Sequence, residues 1–172
     1  TMVEFGNSQI QQILGSSPLY FVKENDFFEV IKNTDPEIVS AIGVIEHLRE
    51  PHKFFEAFNK SKAQYLYYSV PMFSLSVALE SVSKDVFPRQ LSGGHTHLFT
   101  EESIVEMHRI MKVSSIGEWR FGTDIMDLYR HLIVKLQSNN VSQKMIDCLY
   151  DGFGAKIDEL QNIFDLNHSC SE

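Results

Sequence analysis

The stretch Ile38-Val39-Ser40-Ala41-Ile42-Gly43-Val44-Ile45-Glu46-His47-Leu48-Arg49-Glu50-Pro51 decides how this chain is read. A short apolar run rich in β-branched residues stops abruptly at Glu46-His47, and a proline follows just beyond. Such a run predicts a strand buried on both faces, as in the middle of a parallel sheet. Ligands of open parallel sheets collect outside the carboxyl ends of the strands. Glu46 and His47 are therefore polar groups delivered to an edge where a cofactor or substrate would sit. A plainer reading keeps them at a helix start, the acid complementing the dipole and the imidazole capping a turn.

Upstream of this run, apolar side chains at Met2, Phe5, Ile10, Ile13 and Leu14 predict a helix ending near Gly15. Residues 18–22 read as a short strand, and residues 25–28 as a turn into a short helix ending about Asn33. Asp35-Pro36 breaks the chain before the central strand. Downstream, residues 51–62 predict a helix with Phe54, Phe55 and Phe58 on one face, and residues 65–70 a strand ended by Pro71. Residues 72–86 are apolar and rich in small side chains, a helix or a lid, and a loop follows. Thr100 is a helix cap, with Ser103 where an acid is usual, and its helix runs to about Met111. Residues 112–120 are expected to contain a strand that includes Val113, Ile116 and Trp119. Beyond Gly122 only helices are expected, over residues 124–137, 142–150 and about 153–164. The fold class is α/β, with residues 1–122 a partial α/β domain and residues 123–172 a helical extension packed on it.

The chain has 172 residues, enough for one domain with a real core, and a formal net charge of −8 with its basic residues scattered. That balance argues against nucleic acid or an anionic membrane surface as partner. Cys148 and Cys170 lie far apart and belong to no metal-type spacing, which suits free thiols in a reducing cytoplasm. No apolar run approaches the roughly 20 residues that span a bilayer, and the expected location is cytoplasmic. The opening at Thr1 and the ending at Glu172 both read as the interior of something longer, and the chain is expected to be a fragment.

A second candidate segment is His95-Thr96-His97-Leu98-Phe99-Thr100-Glu101. Two imidazoles followed by a carboxylate have the spacing of a metal half-site, similar to that of cupins. Cupins are all-β, however, and Glu101 stands where a helix begins, so its charge has a structural reason to be there. The expectation is a substrate-facing pair of histidines, or one facing and one packed, and no metal. The aromatic residues Phe54, Phe55, Phe58, Tyr65, Tyr67 and Tyr68 read as core. His52, His108, His131 and His168 read as surface or packing residues. There is no nucleophile elbow, no phosphate-binding Gly-Lys-Ser/Thr loop and no Cys-His pair at credible spacing.

Gly43-Val44-Ile45-Glu46-His47-Leu48 with Pro51 resembles the fourth-strand signature of class I S-adenosylmethionine-dependent methyltransferases. The nearest likeness is to the small-molecule type that includes the ubiquinone-biosynthesis O-methyltransferases. Tyr65 to Pro71 resembles the fifth strand of that family in character. Gly94-His95-Thr96-His97-Leu98-Phe99-Thr100-Glu101-Glu102-Ser103-Ile104 resembles its His-x-His/Tyr-Phe-Ser/Thr-x-Glu-Ser-Leu segment. The matches span about residues 2–119.

The resemblance implies a partial Rossmann-like, doubly wound sheet that holds S-adenosylmethionine at its carboxyl edge and methylates a small-molecule acceptor. It implies that Asp26 accepts a hydrogen bond from the adenine amino group, with Phe27 packing on the adenine or offering its backbone N–H. It places Ile42, Gly43 and Val44 along the pocket, with Glu46 and His47 near the methyl donor or the acceptor. His95 and His97 would approach from the opposite rim, and His47, His95 and His97 are the candidate proton acceptors. The family's glycine-rich loop and the ribose-binding acid are not in this sequence, so the chain is expected to begin just after both. It would then expose strand edges that favour a homo-oligomer. The alternatives are a degenerate methyltransferase-like binding module, and a metal-dependent enzyme using His95, His97 and Glu101.

Overall fold

Two parallel strands, β1 (Ile38–Ile42) and β2 (Tyr65–Ser69), pair in register from Ile38 against Tyr65 to Ile42 against Ser69. The helix α3 (Pro51–Lys60) connects them, making a β-α-β unit. The computed structural model describes residues 2–15, 27–83, 89–91 and 94–172. Among these the chain is mixed α/β, and the sheet has two strands. The expected strand at residues 18–22 lies outside the described residues, and so does Asp26.

The helices follow the local signals. The first, α1 (Met2–Leu14), stops at Gly15, whose φ of +69° is the left-handed geometry of a glycine helix stop. The second, α2 (Phe27–Asn33), is short, and α3 carries Pro51 at its first turn, where the missing N–H costs nothing. A fourth, α4 (Leu75–Val82), occupies part of the segment expected as a helix or lid. In α5 (Glu101–Met111) Thr100 and Ser103 exchange side-chain and backbone hydrogen bonds, so a serine completes the capping box in place of the usual acid. Then come α6 (Asp124–Ser138), α7 (Gln143–Gly152) and α8 (Ile157–Leu166), the last preceded by a single 3-10 turn. No helix among the described residues is long and apolar enough to cross a membrane. Both cysteines are free thiols, Cys148 exposed and Cys170 buried.

The core lies on one side of the sheet. Val39 and Ala41 of β1 meet Phe54, Phe55 and Phe58 of α3 and Met107 and Met111 of α5, with Phe27, Phe28 and Ile31 of α2 packed alongside. This corrects the expectation of a strand buried on both faces. The burial of β1 alternates, and Ile38 and Ile42 keep 59% and 60% of their surface exposed. Tyr65, the partner of Ile38 on β2, and Tyr67, the partner of Ser40, are exposed as well, against the expectation that they are core. The apolar run persisted because both faces of β1 are hydrophobic, but the described helices α2, α3 and α5 all contribute to the single covered face.

The expected strand within residues 112–120 does not form. Instead these residues line one wall of a groove of about 400 Å³, whose other wall is β2. Without a strand in the groove there is no ladder to join, and Ile116 and Trp119 are left exposed.

Past β2 the chain stays extended and is tied on both sides. The Phe99 N–H donates to the Pro71 carbonyl at 3.0 Å and the Phe73 N–H to the Phe99 carbonyl at 2.7 Å. On the other side the Met72 N–H donates to the Ser171 carbonyl at 2.8 Å, and Glu172 and Phe121 exchange both backbone bonds. The helical segment α6–α8 is thereby returned to the carboxyl end of the sheet. Asp124, fully buried at the start of α6, accepts from the Ser76 N–H of α4 at 2.9 Å.

Gly122 sits where these strands of chain converge. A Cβ there would lie 2.6 Å from Asp124 Oδ2 and 2.8 Å from the Ser171 nitrogen. Gly122→Ala is expected to cost about 1–3 kcal/mol through overpacking. Gly117→Ala, which would meet nothing within 4 Å, should stay within about 0.5 kcal/mol of wild type. Urea denaturation of the two variants checks the pair, and equal stabilities would show that the return of residues 171–172 is misplaced.

Candidate functional site

The carboxyl edge of β1 ends in a left-handed turn at Gly43, with φ +60°. The Gly43 N–H donates to Ser69 Oγ of β2 at 3.3 Å, so the neighbouring strand holds the turn. A single 3-10 turn, Ile45–His47, follows at once. Ile45 is completely buried in the core and anchors the turn. The anchoring fixes where its two neighbours go: Glu46 is only 4% exposed, while the His47 side chain is 43% exposed.

The second segment is strapped onto this turn by backbone and hydroxyl contacts. The Glu46 carbonyl accepts from the Thr96 N–H at 2.7 Å and the His97 N–H at 3.3 Å. Thr96 Oγ1 lies 2.8 Å from that carbonyl, 3.0 Å from the Leu48 carbonyl and 2.8 Å from His97 Nδ1. A hydroxyl has one proton, which goes to a carbonyl, so His97 Nδ1–H donates to the hydroxyl oxygen. The strap lays the His95 ring against that of His47, with ring centroids 4.8 Å apart. The two imidazoles therefore share one side of the site, where the family resemblance implied opposite rims.

Both rings have a defined hydrogen-bond partner. His47 Nδ1 is 3.2 Å from the Gly94 carbonyl, and His95 Nδ1 is 3.0 Å from the Gln90 carbonyl. A carbonyl can only accept, so Nδ1 carries the proton in each neutral ring and Nε2 is left with its lone pair. Glu46 Oε1 lies 4.0 Å from His47 Nε2, while Glu46 Oε2 is buried without a hydrogen-bond partner among the described residues. Beside this group is a small cavity of about 210 Å³, lined by Ile42, Gly43, Glu46, Ser69, His95 and Glu172 among others.

The sequence candidates divide clearly. Ile42, Gly43, Glu46 and His95 line the cavity, and His47 stands on His95 at its rim. Val44 is half-buried and packs on the core rather than facing the cavity. Phe27 also belongs to the core, its ring centroid 4.2 Å from Phe28 and 6.3 Å from Phe54, and it does not line the cavity. His97 is engaged by Thr96 and stands outside the cluster of Glu46, His47 and His95. Glu101 pairs with Arg120 at 2.9 Å, so the set His95, His97 and Glu101 is not assembled. His108 is a packing residue as expected, its Nε2 2.7 Å from the Tyr68 hydroxyl. Sequence reasoning missed Thr96, Ser69 and Glu172. Thr96 had one signal, a hydroxyl between two histidines; the other two depend on contacts between distant parts of the chain.

Glu172 brings a second carboxylate to the cavity. Burial pushes its carboxyl above the usual range, Arg89 pulls it down, and the charge of Glu46 adds to the rise while that of His95 opposes it. A group that binds its proton more tightly in the folded state stabilises the fold fully below its ordinary value of 4.5 and loses that contribution as pH rises through the raised one. Melting temperatures followed upward from pH 4.5 should therefore fall more steeply for wild type than for Glu172→Gln. Parallel curves would show that this carboxyl is not buried against Glu46.

Gly43→Ala tests the turn itself. A β-carbon at this φ costs about 1–2 kcal/mol and would lie 3.6 Å from Glu46 Oε1, which is ordinary contact. The expected loss in urea denaturation is thus the backbone strain alone, and an unchanged midpoint would refute the left-handed turn. Compared with protein-family models, with curated proteins and with solved structures, the chain finds no match in any of the three.

Proposed function

We propose that the chain is part of an S-adenosylmethionine-dependent methyltransferase that acts on a small-molecule acceptor. The observation that carries this reading is the convergence, at the carboxyl edge of a parallel β-α-β unit, of the Gly43 turn, Glu46, His47 and His95. That edge is where ligands of parallel α/β sheets bind. The two sequence segments with the family likeness, around Glu46 and around His95, meet there through Thr96. In this reading the two strands belong to a larger, partial Rossmann-like sheet in a cytoplasmic enzyme, a setting supported by the two free thiols.

The residues present suit a cationic ligand. Glu46 Oε2 is a buried acceptor without a donor among the described residues, and Gly43 carries no side chain beside that carboxylate. When bound, the cofactor supplies an electrophilic methyl group on a positively charged sulfur. Ile42 and Gly43 form one wall of its pocket, and the acidic side chain of Glu46 favours its charge. His47 and His95 face the acceptor with unprotonated Nε2 atoms. Such lone pairs assist attack by a hydroxyl in either of two ways, by taking its proton or by holding a cation that makes it more acidic. Most of the remaining rate enhancement in such a transfer comes from holding the reactants in line.

The cavity of about 210 Å³ is small for a whole nucleoside cofactor, and the sequence has no glycine-rich loop to complete it. This chain alone is therefore expected to bind S-adenosylmethionine far more weakly than the product of the complete reading frame. Calorimetry on that product should show one site for S-adenosylmethionine or its demethylated form. Ile42→Lys, at an exposed position that tolerates change, should weaken it roughly tenfold or more, about 1.4 kcal/mol. A folded full-length product that gives no heat with either compound would end this reading.

A further inference from the structure

We infer that Glu46, His47 and His95 form a binding site for a divalent transition-metal cation. One ligand atom from each of the three residues lies within 4.8 Å of the other two, and His47 Nε2 is 4.0 Å from Glu46 Oε1. Around a bound cation, at roughly 2.0–2.2 Å from each donor, the same atoms would stand closer together. The adjustment is about an ångström, within reach of side-chain rotation at the half-exposed His47.

Three features separate this group from a chance meeting of polar side chains. Glu46 is buried at 4% exposure with Oε2 unpartnered among the described residues, and a lone carboxylate taken out of water is expensive unless a cation accompanies it. Each histidine gives its Nδ1 proton to a backbone carbonyl, of Gly94 or of Gln90, which fixes the tautomer with Nε2 free. That is the outer-shell arrangement of metal-ligating histidines, and it orients the ring as well as raising its basicity. Finally, Glu172 lines the same cavity as Glu46 and His95, so a second acidic side chain adjoins the group.

The donor set selects the kind of metal. Two imidazoles and one carboxylate suit zinc or another divalent first-row transition ion, whereas magnesium and calcium prefer oxygen alone. Three protein ligands leave positions open, and the exposed side of His47 and the adjoining cavity give access to them. An acceptor hydroxyl bound there would become more acidic. The site stands whether or not the chain binds S-adenosylmethionine, because it is tested with metal alone.

Metal-stripped protein is titrated with Zn²⁺ by calorimetry and with Co²⁺ by visible absorption. One site per chain is expected, with cobalt bands of an imidazole-containing centre. Glu46→Gln, His47→Ala and His95→Ala should each weaken Zn²⁺ binding by at least the roughly 10–100-fold that follows loss of an outer-shell partner. His52→Ala, at an exposed histidine outside the cluster, should leave the affinity unchanged. Circular dichroism of each metal-free variant verifies folding, and His95→Gln serves as a second variant wherever the alanine fails to fold. A folded wild type that binds no Zn²⁺, or binding that survives Glu46→Gln or loss of the His95 imidazole, would overturn the inference.

Discussion

The backbone carbonyl of Glu46 holds together the two halves of the site. It accepts from the Thr96 N–H and lies within hydrogen-bonding distance of the Thr96 hydroxyl, which joins the turn after β1 to a segment 50 residues further along. Together with the bond from His47 Nδ1 to the Gly94 carbonyl, that contact lays His95 on His47. Everything chemical about the edge follows from it: two imidazoles on one side, a buried carboxylate beneath them and a cavity alongside. The strap is backbone-rich and therefore insensitive to side-chain identity, apart from Thr96. It is also anchored from below, because Ile45, one residue before Glu46, is sunk in the aromatic core beside Phe54. The core thus does more than stabilise the sheet; it sets the height at which Glu46 sits.

Much of the local structure was legible from residues alone. Pro51 at the start of α3, the glycine stop of α1 and the Thr100 cap of α5 are short-range signals, and each helix begins or ends where they stand. Short-range signals also explain the failures. An apolar strand looks the same whether one face or two is covered, so nothing within Ile38–Ile42 could reveal that one face of the sheet is open. Val113, Ile116 and Trp119 have strand-like side chains, but a strand is a property of a pair, and the described residues offer these none. Gly122 gives no hint in sequence that Ser171 and Asp124 crowd it.

The site was legible in its parts and not in its arrangement. Glu46, His47 and His95 were all recognisable as polar groups in apolar or glycine-rich surroundings. Their grouping was not, since the spacing of His95, His97 and Glu101 suggests a different triad. Helix α5 resolves the competition: Glu101 lies in its first turn, where the dipole favours an acid, and Arg120 takes its charge. His97 is drawn away by Thr96. What remains is a carboxylate and two imidazoles from segments that only the folded chain brings together.

The central claim is that Glu46, His47 and His95 each bring a ligand atom to one shared centre, with Nδ1 of both rings held by backbone carbonyls. Long-range proton–nitrogen correlation spectra of the histidine rings, recorded on metal-free protein with the rings neutral, test it most directly. Both rings should be Nδ1-protonated tautomers, and His47→Ala should shift the His95 nitrogens through loss of the ring against it. An Nε2-protonated tautomer at either residue, or His95 signals indifferent to His47→Ala, would contradict the account.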